Sequence, residues 1–387
     1  MIRNEKIKSL LTKTIFKGLS LVNQFIPKDD YLVLLYSNMG FRDNISYIYD
    51  YMISEEYNKK YKIVISQNDK RKKVLPSNVS SKSNLAGVLT YLRAGHVFYC
   101  FGKLPIYPSK TQKVIQMWHG SPFKGVDIRQ KNEMTKNYQK SYYTNALSTS
   151  EIFNEFWANE FDCGVERISI CGQPRTDVMI NPYPPEKIGI QNKKLILWMP
   201  TFRKSSVLGY SDVKEAKDFL PVINLDDLER LNECLKTNNV KMIIKLHPMQ
   251  DSYGINKTKF SNLCIFQHSD FQRKGYDLYR LLGNADAIIT DYSSVFLDYI
   301  LLNRPIGFTE DDIEDYKDGR GFAMSNPDHY RTGPKIRTYD DMNKFIEDIS
   351  NGVDEWKSQR EAVNIEVNYY RDYNNRRRAL KIGGVIK

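Results

Sequence analysis

Short apolar runs, each closed by Gly, Pro or polar residues, alternate with stretches of helical periodicity along most of this chain. Runs that short and that apolar suit strands buried on both faces, and strand–helix–strand succession predicts parallel α/β units. The expected strands are Tyr31–Tyr36, Tyr61–Ser66, His96–Phe101, Lys113–Met117 and Arg167–Cys171, then Leu195–Met199, Val240–Leu246, Leu263–Phe266, Ala287–Thr290 and Pro305–Phe308. Helical patterns such as Leu225–Lys236 and Val295–Leu302 lie between them. The Pro/Asn-rich segment NPYPPEK (181–187) separates the two series and marks the domain boundary. Two open α/β domains are therefore expected, 28–185 and 186–365, flanked by an N-terminal helix within 1–27 and a basic helix within 366–387.

The first flank has apolar residues Ile7, Leu10, Leu11, Ile15, Leu19, Val22 and Ile26 at three- and four-residue spacing, with Lys6, Lys8, Lys13 and Lys17 among the rest. That pattern is an amphipathic helix with a basic face. It suits either packing on the following domain or lying in a membrane interface. The chain has 387 residues and a net charge of +11, which biases its surface toward anionic partners but does not choose among phosphate, lipid and nucleic acid. Its five cysteines, Cys100, Cys163, Cys171, Cys234 and Cys264, have no C-x-x-C spacing, so buried thiols in a reducing compartment are expected. No apolar stretch is long enough to cross a bilayer and no signal-peptide pattern is present, so the expected location is the cytoplasm or the cytoplasmic face of a membrane.

In open parallel sheets ligands bind beyond the carboxyl ends of strands. Here those places hold Trp118-His119-Gly120-Ser121-Pro122, Gly172-Gln173-Pro174-Arg175-Thr176-Asp177, Pro200-Thr201-Phe202-Arg203, Lys245-Leu246-His247-Pro248 and Asp291-Tyr292-Ser293-Ser294. Turns need only Gly, Pro, Asn or Asp, yet these carry two of the five histidines, two arginines and a lysine. His119 alone would read as a structural histidine, but Gly120 beside it lets a backbone approach a ligand. Lys245 and His247, two apart on an extended strand, face one way and suit a diphosphate. A polar strand end explains that pair equally well. Arg203 and Arg175 could be surface ion-pair partners or two-pronged phosphate grips. Asp291, Ser293 and Ser294 before a helix are either a cap or a phosphate cradle, and three polar residues among four favour the cradle. No dinucleotide loop, P-loop, zinc-protease helix, nucleophile elbow or nucleic-acid signature occurs, and no metal site is predicted.

These blocks resemble those of the CDP-glycerol glycerophosphotransferase family, the primases and polymerases of teichoic acids and related capsules. The resemblance rests on WHGSPFK (118–124), GQPRTD (172–177), PTFR (200–203), KLHP (245–248), ITDYSSVFLDYILLNRPIGF (289–308) and the region of DGRGF (318–322), and more weakly on Asp43-Asn44. Gln173, Thr176 and Phe202 stand where the family usually has Tyr, Asn and Trp. The resemblance implies two Rossmann-like domains facing a cleft in the glycosyltransferase-B manner, with the donor in the second domain and the last helix crossing back. It implies transfer of an alditol phosphate from CDP-glycerol or CDP-ribitol to a hydroxyl of a lipid-linked glycan or growing polymer, releasing CMP at the inner leaflet of the membrane. The CDP-alditol is a substrate, and no cofactor is called for. His119 would be the general base and His247 would assist the departing CMP. Arg203, Lys245, Ser293 and Ser294 would hold the diphosphate, Asp291 would orient its loop, and Gly120, Arg175 and Asp177 would serve the acceptor side or brace His119. The competing readings are a nucleotide-sugar glycosyltransferase of the same architecture and a non-catalytic basic module that binds membrane or nucleic acid.

Overall fold

The structure is a computed structural model that describes residues 5–38, 40–68, 74–101, 104–123, 141–201, 220–247, 260–319 and 321–386. It divides into two units. The first comprises the described residues up to His119, residues 141–177 and residues 368–386; the second comprises residues 120–123 and the described residues of 178–367. The division falls between Asp177 and Val178, just ahead of the Pro/Asn-rich segment.

The first unit is a seven-stranded sheet of β1 (Asp29–Tyr36), β2 (Lys62–Ser66), β3 (Val79–Lys82), β4 (Ala94–Tyr99), β5 (Lys113–Gln116), β6 (Asn145–Ser148) and β7 (Ile168–Ile170). Its order is β3-β2-β1-β4-β5-β6-β7, and every pairing is parallel. Alternate residues of β1 supply opposite cores, because side chains in a strand alternate. Val33 and Leu35 pack with Ile45, Ile48 and Met52 of the helix Asn44–Ser54 and with Ala379 and Leu380 of the last helix, Asn375–Ile382. Leu34 and Tyr36 pack with Tyr91 and Leu92 of the helix Asn84–Arg93, and Phe16, Leu19 and Ile26 join that core.

The second unit is a six-stranded sheet of β8 (Lys194–Met199), β9 (Val240–Lys245), β10 (Leu263–Phe266), β11 (Ala287–Thr290), β12 (Ile306–Thr309) and β13 (Lys335–Ile336). Its order is β10-β9-β8-β11-β12-β13, again parallel throughout. Ile196 and Trp198 of β8 meet Leu231 and Leu235 of the helix Leu228–Thr237 and Phe345 and Ile349 of the helix Tyr339–Asn351. In both units the first strand is central and the chain reverses direction of travel beside it. That reversal is where an open sheet forms its binding crevice.

The ten expected strands are present. Three more are β3, β6 and β13, whose sequences VSSK, NALS and KI carry little of the apolar signal. The helix expected at Leu225 starts as a 3-10 turn and becomes α-helical at Leu228, because Asn224 and Asp227 form a capping box there.

The N-terminal helix runs Glu5–Asn23. Its expected stripe is divided: Leu19 and Ile26 turn inward, while Ile15 and Val22 are about half exposed at 51% and 48%. Polar anchors set this orientation. Tyr107 N donates to Ser20 Oγ at 3.0 Å, and the buried Asn23 Nδ2 donates to Tyr107 O at 2.9 Å and Gln112 Oε1 at 3.0 Å. Leu21 and Phe25 point outward, 65% and 79% exposed.

Candidate functional site

The turn after β5, where the chain passes from the first unit at His119 into the second at Gly120, is sharply bent. Trp118 has φ 55° and Gly120 φ 139°, a region that glycine enters freely and tryptophan rarely. His119 lies between them. Its ring stacks on Phe101 at 4.7 Å and sits 4.2 Å from the Trp118 ring. Burial among these rings holds the imidazole down to about 4; the Asp43 carboxylate opposes this, and Arg175 and Arg42 add to it. His119 Nδ1 is buried without a hydrogen-bond partner.

Both carbonyls of the turn are clamped. Asn44 Nδ2 donates to Trp118 O at 2.9 Å and to Gln173 Oε1 at 2.6 Å, and the Cys100 thiol also donates to Trp118 O, at 3.1 Å. Arg175 Nη1 donates to His119 O at 3.0 Å and to both carboxylate oxygens of Asp43 at 2.8 Å. Asn44 Oδ1 accepts from Arg175 N at 3.1 Å. Asp43 reaches this pairing while capping the helix Asn44–Ser54, where its Oδ1 accepts from Asn44 N, and the double duty bends its backbone to φ 63°, ψ −156°. That conformation is strained for any residue but glycine.

The GQPRTD block faces two ways. Gln173 and Arg175 face the His119 turn, whereas Asp177 is turned toward the last helix. Its carboxylate accepts from Asn375 N at 3.0 Å and Arg376 N at 2.7 Å. Burial raises the Asp177 carboxyl, and those N–H groups pull it back. Gly172, at φ 92°, leaves room for Asn375, which a Cβ would strike at 2.4 Å.

In the second unit β9, β8 and β11 are neighbours, so three strand-end groups share one sheet edge. Lys245 ends β9 half-buried, its ammonium 5.5 Å above the Phe271 ring, and half-buried His247 follows two residues on. Asp291 after β11 is fully buried; its Oδ2 accepts from Thr201 N and Thr201 Oγ1, both at 2.8 Å, and its Oδ1 from Tyr292 N. This bridges β8 and β11 where the strand order reverses. Tyr292 stacks on Tyr316 at 3.8 Å and donates to Asp312 Oδ1 at 2.6 Å. Ser293 and Ser294 follow, half-buried, ahead of the five-residue helix Val295–Tyr299, and Ser294 makes no side-chain cap bond. Arg203 lies outside the described residues. Among the described residues no group of three or more His, Cys, Asp and Glu could hold a metal ion.

The sequence rule of inspecting strand ends reached His119, Arg175, Lys245, His247 and the Asp291 loop, but passed over Arg42 after β1. The same rule applied to residues 37–44 would have found it. Another omission is the buried ion pair of Arg331 Nη1 with Glu310 Oε1 at 2.6 Å, whose members are 21 residues apart and carry no motif.

Two parallel sheets of this strand order, each with polar and cationic groups at the carboxyl edge, define the glycosyltransferase-B-like class of α/β protein. Solved structures of the wall teichoic acid polymerase TagF share this fold with a TM-score of 0.72 at 23% identity, covering 98% of this chain and 94% of that one. Residues 19–382 match the model of the CDP-Glycerol:Poly(glycerophosphate) glycerophosphotransferase family, and the chain belongs to that family. A teichoic acid poly(glycerol phosphate) polymerase of Bacillus spizizenii is 27% identical over 89% of this chain and 90% of its own length. A poly(ribitol-phosphate) polymerase of the same organism is 26% identical over 87% of this chain, which spans about half (52%) of that relative. A glycerol-phosphate primase of Bacillus subtilis is 30% identical over 62% of this chain and 60% of its own length.

Proposed function

We propose that the protein transfers an alditol phosphate from a CDP-alditol, glycerol or ribitol, to a hydroxyl of a lipid-linked glycan or growing polymer. The acceptor oxygen attacks the alditol phosphorus, that O–P bond forms, the bond to the CMP phosphate oxygen breaks, and the acceptor proton passes to His119. The observation that carries this reading is the His119 imidazole: clamped through both backbone carbonyls of its turn, packed between aromatic rings, and with a buried ring nitrogen left unpartnered. Burial keeps it unprotonated at neutral pH and able to accept a proton, and the Asp43 carboxylate favours the imidazolium once formed.

In the second unit Lys245, His247, Ser293 and Ser294 hold the CDP diphosphate and meet the charge that develops on the departing CMP. Asp291 positions that loop through Thr201, and Arg175 positions His119. The names of the relatives support glycerol and ribitol as the two alditols, and a TagF variant soaked with CDPG supports a CDP-linked donor. Docking at the inner leaflet of an anionic membrane is supported by the outward-facing Ile15, Leu21, Val22 and Phe25 together with the chain's excess of lysine and arginine.

The deciding experiment incubates the purified chain with CDP-glycerol or CDP-ribitol and short lipid-linked acceptors, and follows CMP release and product mass. His119→Ala is expected to lower turnover about 100-fold or more. Wild-type release of UDP from nucleotide sugars, with no CMP from either CDP-alditol, would overturn the reading.

A further inference from the structure

Arg42 stands immediately before the strained Asp43. Its guanidinium is exposed and lies 5.2 Å above the centre of the Phe101 ring, the same ring on which His119 stacks at 4.7 Å. The adjacent Asp43 carboxylate pairs with Arg175 instead. No carboxylate among the described residues pairs with Arg42. A cation thus lies against the same aromatic ring as the proposed base, in the unit assigned to the acceptor.

What would meet it depends on what the acceptor carries near its reacting hydroxyl. A neutral glycan end offers no anion there. A chain already extended with alditol phosphate carries a phosphodiester; in a glycerol phosphate chain its phosphorus lies on the order of 6 Å from the terminal oxygen, counted along ordinary covalent bonds. Arg42 and His119 both lie against the Phe101 ring, so a phosphodiester that near the reacting oxygen falls in the neighbourhood of the guanidinium. Resting on the function proposed above, we infer that Arg42 binds the phosphodiester nearest the acceptor's terminal hydroxyl, so that the protein favours an acceptor already bearing alditol phosphate over one ending in sugar. Arg is the side chain suited to that task, since two of its N–H groups can meet two phosphate oxygens in parallel.

The test titrates the full chain by calorimetry with a soluble oligo(glycerol phosphate) and, separately, with CDP-glycerol. In Arg42→Gln the oligomer's Kd is expected to rise at least about tenfold, with partial recovery in Arg42→Lys and a steeper salt dependence in the wild type. In turnover with matched lipid-linked acceptors, Arg42→Gln lowers the ratio of kcat/KM for the alditol-phosphate end to that for the sugar end by about the same factor. Equal oligomer affinity in wild type and Arg42→Gln, or a loss confined to CDP-glycerol, would overturn the inference. An Arg42-dependent oligomer affinity without any CMP release would uphold the subsite and sink the function proposed above, so the two fail separately.

Discussion

His119 is held in a form that water would not favour at mildly acidic pH. Its imidazole falls from the ordinary 6.5 to about 4 on burial in the folded protein. Between those two values the unfolded chain binds the extra proton, so stability rises with pH across that window. The contribution is complete above about pH 6.5 and is lost as pH falls toward 4; it amounts to on the order of 3 kcal/mol. Urea unfolding at pH 7 and pH 4.5 checks this: His119→Gln, which cannot take up the proton, should shrink the acid loss by at least about 1 kcal/mol. Arg175 belongs to the same scale. Its Nη1 serves both oxygens of Asp43 and the His119 carbonyl, and Arg175→Lys replaces the rigid guanidinium with a shorter, flexible ammonium. The expected result is a loss of up to about 3 kcal/mol in urea unfolding and a fall in kcat larger than any rise in the KM for CDP-glycerol. Neither relation was legible in the sequence, because Asp43 and Arg175 lie 132 positions apart and only the folded sheet brings them together. The bend at Gly120 was legible, since glycine after a strand announces a backbone freedom that other residues lack.

Elements were readable where their own residues carried the signal. Strand β1 is apolar on both faces because helices cover both, β8 is buried along nearly its whole length, and runs of that kind declare themselves. β3 and β6 each bring only one or two apolar residues to the core and are held largely by pairing with neighbouring strands, so their sequences look like loop. The N-terminal helix shows periodicity reaching its limit. Spacing located the helix, but the hydrogen bond that Ser20 accepts from Tyr107 and those that Asn23 donates chose which side faces the sheet. Because Leu21 and Phe25 are exposed, Leu21→Ser with Phe25→Ser should leave the melting temperature within a few degrees of wild type while weakening sedimentation with anionic vesicles severalfold. Unchanged vesicle binding would remove this helix from membrane docking. Deleting residues 1–27 is a poorer test, since Phe16, Leu19 and Ile26 belong to a core. Asp177 acts at this scale too: Asp177→Asn loses the charged acceptor at the start of the last helix and should cost about 1–3 kcal/mol, read from urea unfolding.

At the scale of the molecule, the last residues of the chain complete the first unit. Ala379, Leu380 and Val385 are buried with Val33 and Phe98, Tyr61 donates to Val385 O at 2.7 Å, and His96 Nδ1 lies 2.7 Å from Gly383 O. Burying side chains of that size contributes about 1.5–3 kcal/mol each for the larger ones, against a domain stability of roughly 5–15 kcal/mol. A chain ending at residue 367 is therefore expected to lose the first unit to limited proteolysis while the second stays resistant. Equal resistance of both units would show that the terminal segment is dispensable. The sequence by itself determined the alternating elements, the parallel sheets and the strand ends where polar and cationic residues collect, because periodicity and turn composition are local properties. Tertiary structure alone decided that Asp177 serves the final helix, that Arg175 grips both Asp43 and the His119 carbonyl, and that Arg42 lies over the Phe101 ring. Those choices rest on partners distant in the chain, and a hydrogen bond or ion pair between such partners leaves no pattern at any fixed spacing.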